Sequence, residues 1–200
     1  MAASIQELIK QLSSLDFNAR ALALAELVRR GKAATSDLAE ALKSPDAQLR
    51  AQAAQALAEI ADPASAEVLA QALHDGDDQV RARAAQGLAR LQDSRALDAL
   101  ILTINDFPDV LHHPYTLSTY ALIQMGSPAL LSLAPLLKSA DPMTRQRSYV
   151  VIRSIVSQLP EGVDWERIWQ SLGRYDPLGS DLERERAADQ WLAWIRQRFS

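Results

Sequence analysis

The chain contains no cysteine, which removes disulfides, thiolate nucleophiles and every cysteine-ligated zinc or iron–sulfur site. Lysine is scarce, with four residues at positions 10, 32, 43 and 138. Duplex binding draws much of its affinity from lysine and arginine set against phosphates, so no nucleic-acid partner is expected. Net charge is only −4, with 11 basic and 16 acidic side chains through residue 110 and 10 and 9 beyond it. No glycine-rich phosphate loop, no paired carboxylates in an apolar setting and no nucleophile beside a base can be picked out, so no catalytic residue is assigned. No apolar run approaches the ~18 residues of a membrane span, and "MAASIQELIKQL" is amphipathic without a signal-peptide apolar segment. The expected location is the cytoplasm, without membrane insertion.

What is present is a repeat. An arginine and an apolar residue seven positions later recur as Arg20/Leu27, Arg50/Leu57, Arg81/Leu88 and Arg145/Ile152, with Tyr115/Leu122 in fourth place. Within "SPDAQLRAQAAQALAEIADPASAEVLAQAL", apolar residues 49, 53, 56, 57 and 60 share one helical face, followed by 66, 69, 70 and 73. Asp46, Asp62 and Asp141 are suited to N-caps, and Pro63, Pro128 and Pro142 to first helical positions. Helix pairs of about 30 residues bury their apolar faces by stacking. The expected fold is all-α, a curved α-solenoid over 1–200 as a single domain. Its repeats are placed at about 15–43, 44–74, 75–106, 107–138 and 139–172, with a tryptophan-rich helical cap at 173–200.

At "DPASAEVLAQALHDGDDQVRARAAQGLARLQDSRALDALI" the sequence resembles the HEAT repeat, in the short form named after phycobilisome lyases. The resemblance runs over about residues 15 to 160. It implies that the helix opened by Asp-x-x-x-Arg lines a concave face, and that these Asp and Arg side chains form a polar ladder between units. The matching pairs are Asp16/Arg20, Asp46/Arg50, Asp77/Arg81 and Asp141/Arg145, and their expected role is structural.

Helical phase places a second stripe opposite the core. In successive units it carries Asn18, Leu22, Ala25 and Arg29; Gln48, Gln52, Gln55 and Glu59; Gln79, Arg83, Gln86 and Arg90; His113, Leu117, Tyr120 and Gln124; Met143, Arg147, Val150 and Ser154. The later ridges mix aromatic and aliphatic residues with arginine, the composition of a protein-binding hot spot. His113, Leu117, Tyr120, Met143, Arg147, Val150, Arg83 and Arg90 are therefore the candidate partner-binding residues. Pro114 is expected to set a late helix start after an enlarged turn at "FPDVLHH". Adjacent His112 and His113 have poor spacing for a metal, so none is assigned.

The four tryptophans lie at 165, 169, 191 and 194, and read as a seal over the last core face. "LPEGVDWER" and "GRYDPLGSD" break the pattern before it. The function expected is a noncatalytic protein-binding scaffold, with another protein as partner: a phycobiliprotein or a second HEAT-repeat subunit. The resemblance also implies an alternative, a subunit of a bilin lyase or another factor handling linear tetrapyrroles. His113, Tyr120, Arg83 and Arg147 would then serve a bilin, the one cofactor the family suggests.

Overall fold

The structure, a computed structural model, describes residues 3–159 and 164–199. Residues 160–163, inside the first expected break, lie outside the described residues. The described residues form an α-solenoid in which the sole strand-like pairing is an isolated antiparallel bridge between Pro108 and Thr116. Two compact units divide the chain, Met1–Phe107 and Pro108–Ser200. Their boundary lies between Phe107 and Pro108, one residue beyond the 106/107 junction of the expected third and fourth repeats.

The first unit contains α1 (Ile5–Gln11), α2 (Phe17–Arg30), α3 (Thr35–Ala41), α4 (Ala47–Ile60), α5 (Ala66–Ala72), α6 (Asp78–Arg90) and α7 (Ala96–Leu102). Helix α1, ahead of the expected repeats, is started by a capping box between Ser4 and Glu7 and packs on α2. In α4 the alanine-rich sequence favours helix throughout, Asp46 caps the start by accepting from the Gln48 amide, and Ala61 ends it in a left-handed conformation. This helix lies between α2 and α6. Besides Ala53, Ala56 and Leu57 on the expected core face, Ala51, Ala54 and Ala58 are buried. Small residues on both flanks let neighbouring helices approach closely. Gly87 of α6 marks one such close approach, because a Cβ there would meet Leu69 Cδ1 at 2.8 Å.

The arginine ladder exists, with different partners from those expected. The aspartates of the four pairs cap helices, their carboxylates accepting backbone amides at the helix starts. With those carboxylates engaged at the caps, each ladder arginine projects one turn further on and takes another acceptor. Arg50 donates through Nε and Nη2 to the carboxylate of Asp75, 25 residues on, at 2.8 and 2.9 Å. Arg81 does the same to Asp106 at 2.7 and 2.9 Å, and its Nη1 reaches the Asp75 carbonyl at 2.9 Å. Arg20 and Arg145 donate to backbone carbonyls, of Ser14 and of Ser139, Ala140 and Pro177.

The second unit contains α8 (Leu117–Met125), α9 (Leu130–Leu133) continued by a 3-10 turn (Ala134–Lys138), α10 (Pro142–Ser157), α11 (Trp165–Ser171) and α12 (Asp181–Phe199). Ser118, Thr119 and Leu122 are buried in the register of Ala84, Ala85 and Leu88, so the fourth repeat keeps its core phase. Its helix starts later than Pro114 implies, however. Thr116 is the N-cap, in a capping box with Thr119, and the first turn of the regular repeat is replaced by loop. Helix α12 packs along α9 and 134–138, burying Ala187, Ala188, Trp191 and Ile195. Tyr175 is buried beneath the same segment, its hydroxyl donating to the Leu137 carbonyl at 2.6 Å and burial pushing its pKa up to about 12. Among the described residues no single helix is long and apolar enough to cross a membrane.

Candidate functional site

The loop from Pro108 to Thr116 is organised around Asp109. Its N–H donates to the Tyr115 carbonyl at 3.0 Å, while one carboxylate oxygen accepts the amides of Leu111 and His112 at 3.0 and 3.1 Å. The other oxygen meets His112 Nδ1 at 2.9 Å. That contact, foremost, holds the Asp109 carboxyl below its ordinary pKa. The Tyr115 amide donates back to the His112 carbonyl at 2.9 Å, and the His113–Pro114 peptide is cis. These bonds close the loop with Val110 and Leu111 pointing outward, 88% and 84% exposed.

Beside this tip, Tyr115 stacks on Tyr120, ring centroids 5.1 Å apart and planes 14° from parallel. Tyr120 is 41% exposed, His113 is exposed and Leu117 is half-buried. Helical phase in the sequence thus locates Tyr120, but Val110, Leu111 and Asp109 are absent from the expected set. An aspartate immediately before an apolar pair in a turn was the available signal, since such a carboxylate caps the following amides.

Arg147 requires a correction. It is 4% exposed, and its Nε donates to the Pro114 carbonyl at 2.9 Å. The guanidinium thus ties α10 to the irregular loop instead of presenting charge to a partner, because an enlarged turn needs a donor for its inward carbonyls. Met143 and Val150, on the same helix, are half-buried.

Arg83 and Arg90 belong to the first unit. Arg90 is exposed and Arg83 half-buried, its guanidinium 5.9 Å from the centre of the Phe107 ring. Desolvation lowers the Arg83 pKa, with Glu59 and Arg90 as its charged neighbours. An open cleft of about 420 Å³ lies elsewhere in this unit, between α5 and α7, lined in part by Glu67, His74, Arg95 and Asp98. Arg95 is there committed to Asp93 and Glu67 at 2.8 and 3.0 Å. Among the described residues no group of three His, Asp or Glu is placed to hold a metal.

A family model described as HEAT repeats matches residues 5–89 and, in an overlapping placement, 35–118. No curated protein matches the sequence. Among solved structures, the complex of CpcE and CpcF of phycocyanin lyase from Nostoc sp. PCC7120 is similar at 23% identity, over 94% of this chain and 75% of that one, with a TM-score of 0.51. An engineered protein is similar at 21% identity over 98% of both chains, with a TM-score of 0.47. A designed armadillo repeat protein solved with a (KR)4 peptide gives 18% identity over 95% of this chain and 100% of the other, at a TM-score of 0.47.

Proposed function

We propose, from the premise that this chain belongs to the HEAT-repeat family, that it is a noncatalytic scaffold which holds another protein through exposed apolar and aromatic residues of its irregular fourth repeat. The observation that carries this reading is the Asp109-centred loop. Several hydrogen bonds are used to keep Val110 and Leu111 in water next to a tyrosine stack whose Tyr120 is exposed, an arrangement with no benefit to the folded chain alone. Aromatic and aliphatic anchors of this kind dominate binding energy at protein interfaces. We place the protein in the cytoplasm and, within the family, nearest the short repeats named after phycobilisome lyases. A phycobiliprotein or a second HEAT-repeat subunit is then the proposed partner.

The test is capture from a lysate of the source organism, identification by mass spectrometry, and calorimetry with the purified partner. Tyr120→Ala and a Val110→Ser, Leu111→Ser double variant should each weaken binding tenfold or more without change in helicity. Unaltered affinity in both would exclude this surface.

The second reading is a tetrapyrrole-handling subunit, supported by the Tyr115–Tyr120 stack flanked by His112 and His113. Arg147, bound to the Pro114 carbonyl, is no longer in that set. Mixing the protein with free phycocyanobilin separates the two. An unshifted visible spectrum without zinc-enhanced fluorescence leaves the scaffold.

A further inference from the structure

In the first unit, six arginines have partners. Arg20, Arg29, Arg30, Arg50, Arg81 and Arg95 each donate to a carboxylate or a backbone carbonyl. Arg83 does neither. Among the described residues its one side-chain hydrogen bond is a long 3.4 Å contact from Nη1 to the amide oxygen of Gln86, and its buried Nε has no partner there. A half-buried guanidinium with donors to spare is costly unless an acceptor arrives.

The surroundings are arranged for such an arrival. Phe107, stacked near Arg83, has φ of 46°, a left-handed conformation that bulky residues rarely adopt. It is held there by its N–H, which donates to Asp78 Oδ2 at 3.1 Å, at the start of α6. Arg90 lies two turns along the same helix face, exposed and without an ion pair or hydrogen bond among the described residues. Against these two cations stands Glu59, whose carboxylate already accepts from Gln55 at 2.9 Å. Asp78, whose Oδ2 accepts the Phe107 N–H, is the corner's other carboxylate, and among the described residues neither it nor Glu59 bonds Arg83 or Arg90.

We propose that Arg83 and Arg90 receive two carboxylates of an acidic segment of the partner protein, with an apolar residue of that segment against Phe107. Seven residues of helix separate the cations by roughly 10 Å of rise, about one turn of a polyproline-II segment, three residues at ~3.1 Å each that return to the same face. Acidic residues at every third position match this distance, whereas one small carboxylate does not. Two arginines fall well short of the basic footprint a nucleic acid requires. The proposal rests on the scaffold reading and adds the chemistry of what is held.

The probe is a labelled, capped heptapeptide with glutamate at positions one, four and seven and leucine and serine between, followed by anisotropy in about 0.15 M salt, where distant charges are screened. Wild type should bind it at least tenfold more tightly than the glutamine version. Arg83→Gln and Arg83→Lys should both lose tenfold or more, the latter because lysine lacks the planar fork, and Arg90→Gln severalfold. Arg83→Gln should melt at or above the wild-type temperature, since it removes a desolvated cation that no fold partner satisfies. The idea fails if wild type ignores the peptide at 1 mM, if the glutamine peptide binds equally, or if oligothymidylate displaces the probe. A lowered melting temperature in Arg83→Gln also sinks it, by making Arg83 a structural residue. If partner capture survives Arg83→Gln but is lost in Tyr120→Ala, the scaffold reading stands and this one falls.

Discussion

Tyr120 and Arg147 sit on neighbouring helices of the second unit and carry opposite consequences. Truncating Tyr120, exposed on the stack with Tyr115, should leave the fold intact and be felt in binding. Arg147 is the reverse case. Removing a buried guanidinium that donates to the Pro114 carbonyl leaves that carbonyl unsatisfied, so Arg147→Ala should cost about 2 kcal/mol in urea unfolding. A stability unchanged from wild type would return Arg147 to the surface. The sequence could not separate these two residues, because helical phase reports the direction in which a side chain leaves its helix. It is silent on a loop from the preceding repeat folding back over that face. The same silence hid Val110 and Leu111, whose exposure follows from the carboxylate of Asp109. In the regular repeats phase located the largest buried side chains. Leu57 and Leu88 are fully buried as expected, and Leu57→Ala should cost roughly 2 to 5 kcal/mol while Gln52→Ala stays within about 0.5 kcal/mol.

Between elements, the ladder links turns that the sequence marks only as capped helix starts. Repeated Asp-x-x-x-Arg signals the helix boundaries accurately, but the acceptors Asp75 and Asp106 stand in loops outside that motif. Hydrogen bonding from Arg50 is the leading cause that lowers the Asp75 pKa below its ordinary value near 3.8, and the pair of bonds from Arg95 takes Asp93 down to about 2. A carboxylate whose folded pKa is depressed contributes stability that is fully present above its unfolded value. That stability is lost as pH falls from about 4 through the folded value. Unfolding free energy should therefore decline across this acid range, and Asp75→Asn should flatten part of the decline while costing about 1 to 3 kcal/mol at pH 7. Identical acid slopes in the variant and wild type would remove Asp75 from the ladder. At the tryptophan-rich end the packing element is α12. With Trp191 1% exposed and α12 packed on 130–138, Trp191→Ala should cost about 3 to 5 kcal/mol in urea unfolding.

For the whole chain, stacked repeats make stability a sum of local terms, so protection against exchange should follow how completely each helix is covered. Helices α4 and α6 each bury six residues, among them Leu57 and Leu88 with no exposed surface. Small side chains let α2 and α6 close on α4, and α4, α5 and α7 close on α6, leaving little backbone for water to reach. At the other extreme, α11 buries none of its residues, and its ends depend on the Asp164 cap and on Trp169 Nε1, which donates to the Tyr175 carbonyl at 3.0 Å. Helix α8 lies between, with a well-capped start at Thr116 but only nine residues. Amide exchange followed by mass spectrometry should accordingly find α4, α6 and α10, which buries seven residues, slowest, α8 intermediate and α11 fastest, with α11 opening by local fluctuation rather than global unfolding. The Asp109 loop supplies the sharper contrast. Its amides at Leu111 and His112 are bonded to one carboxylate, so Asp109→Ala should accelerate exchange over 109–115 by tenfold or more and leave α4 and α6 unchanged. Equal protection before and after the substitution would mean that the exposed tip is not held by Asp109, and the preorganised docking surface would lose its physical basis.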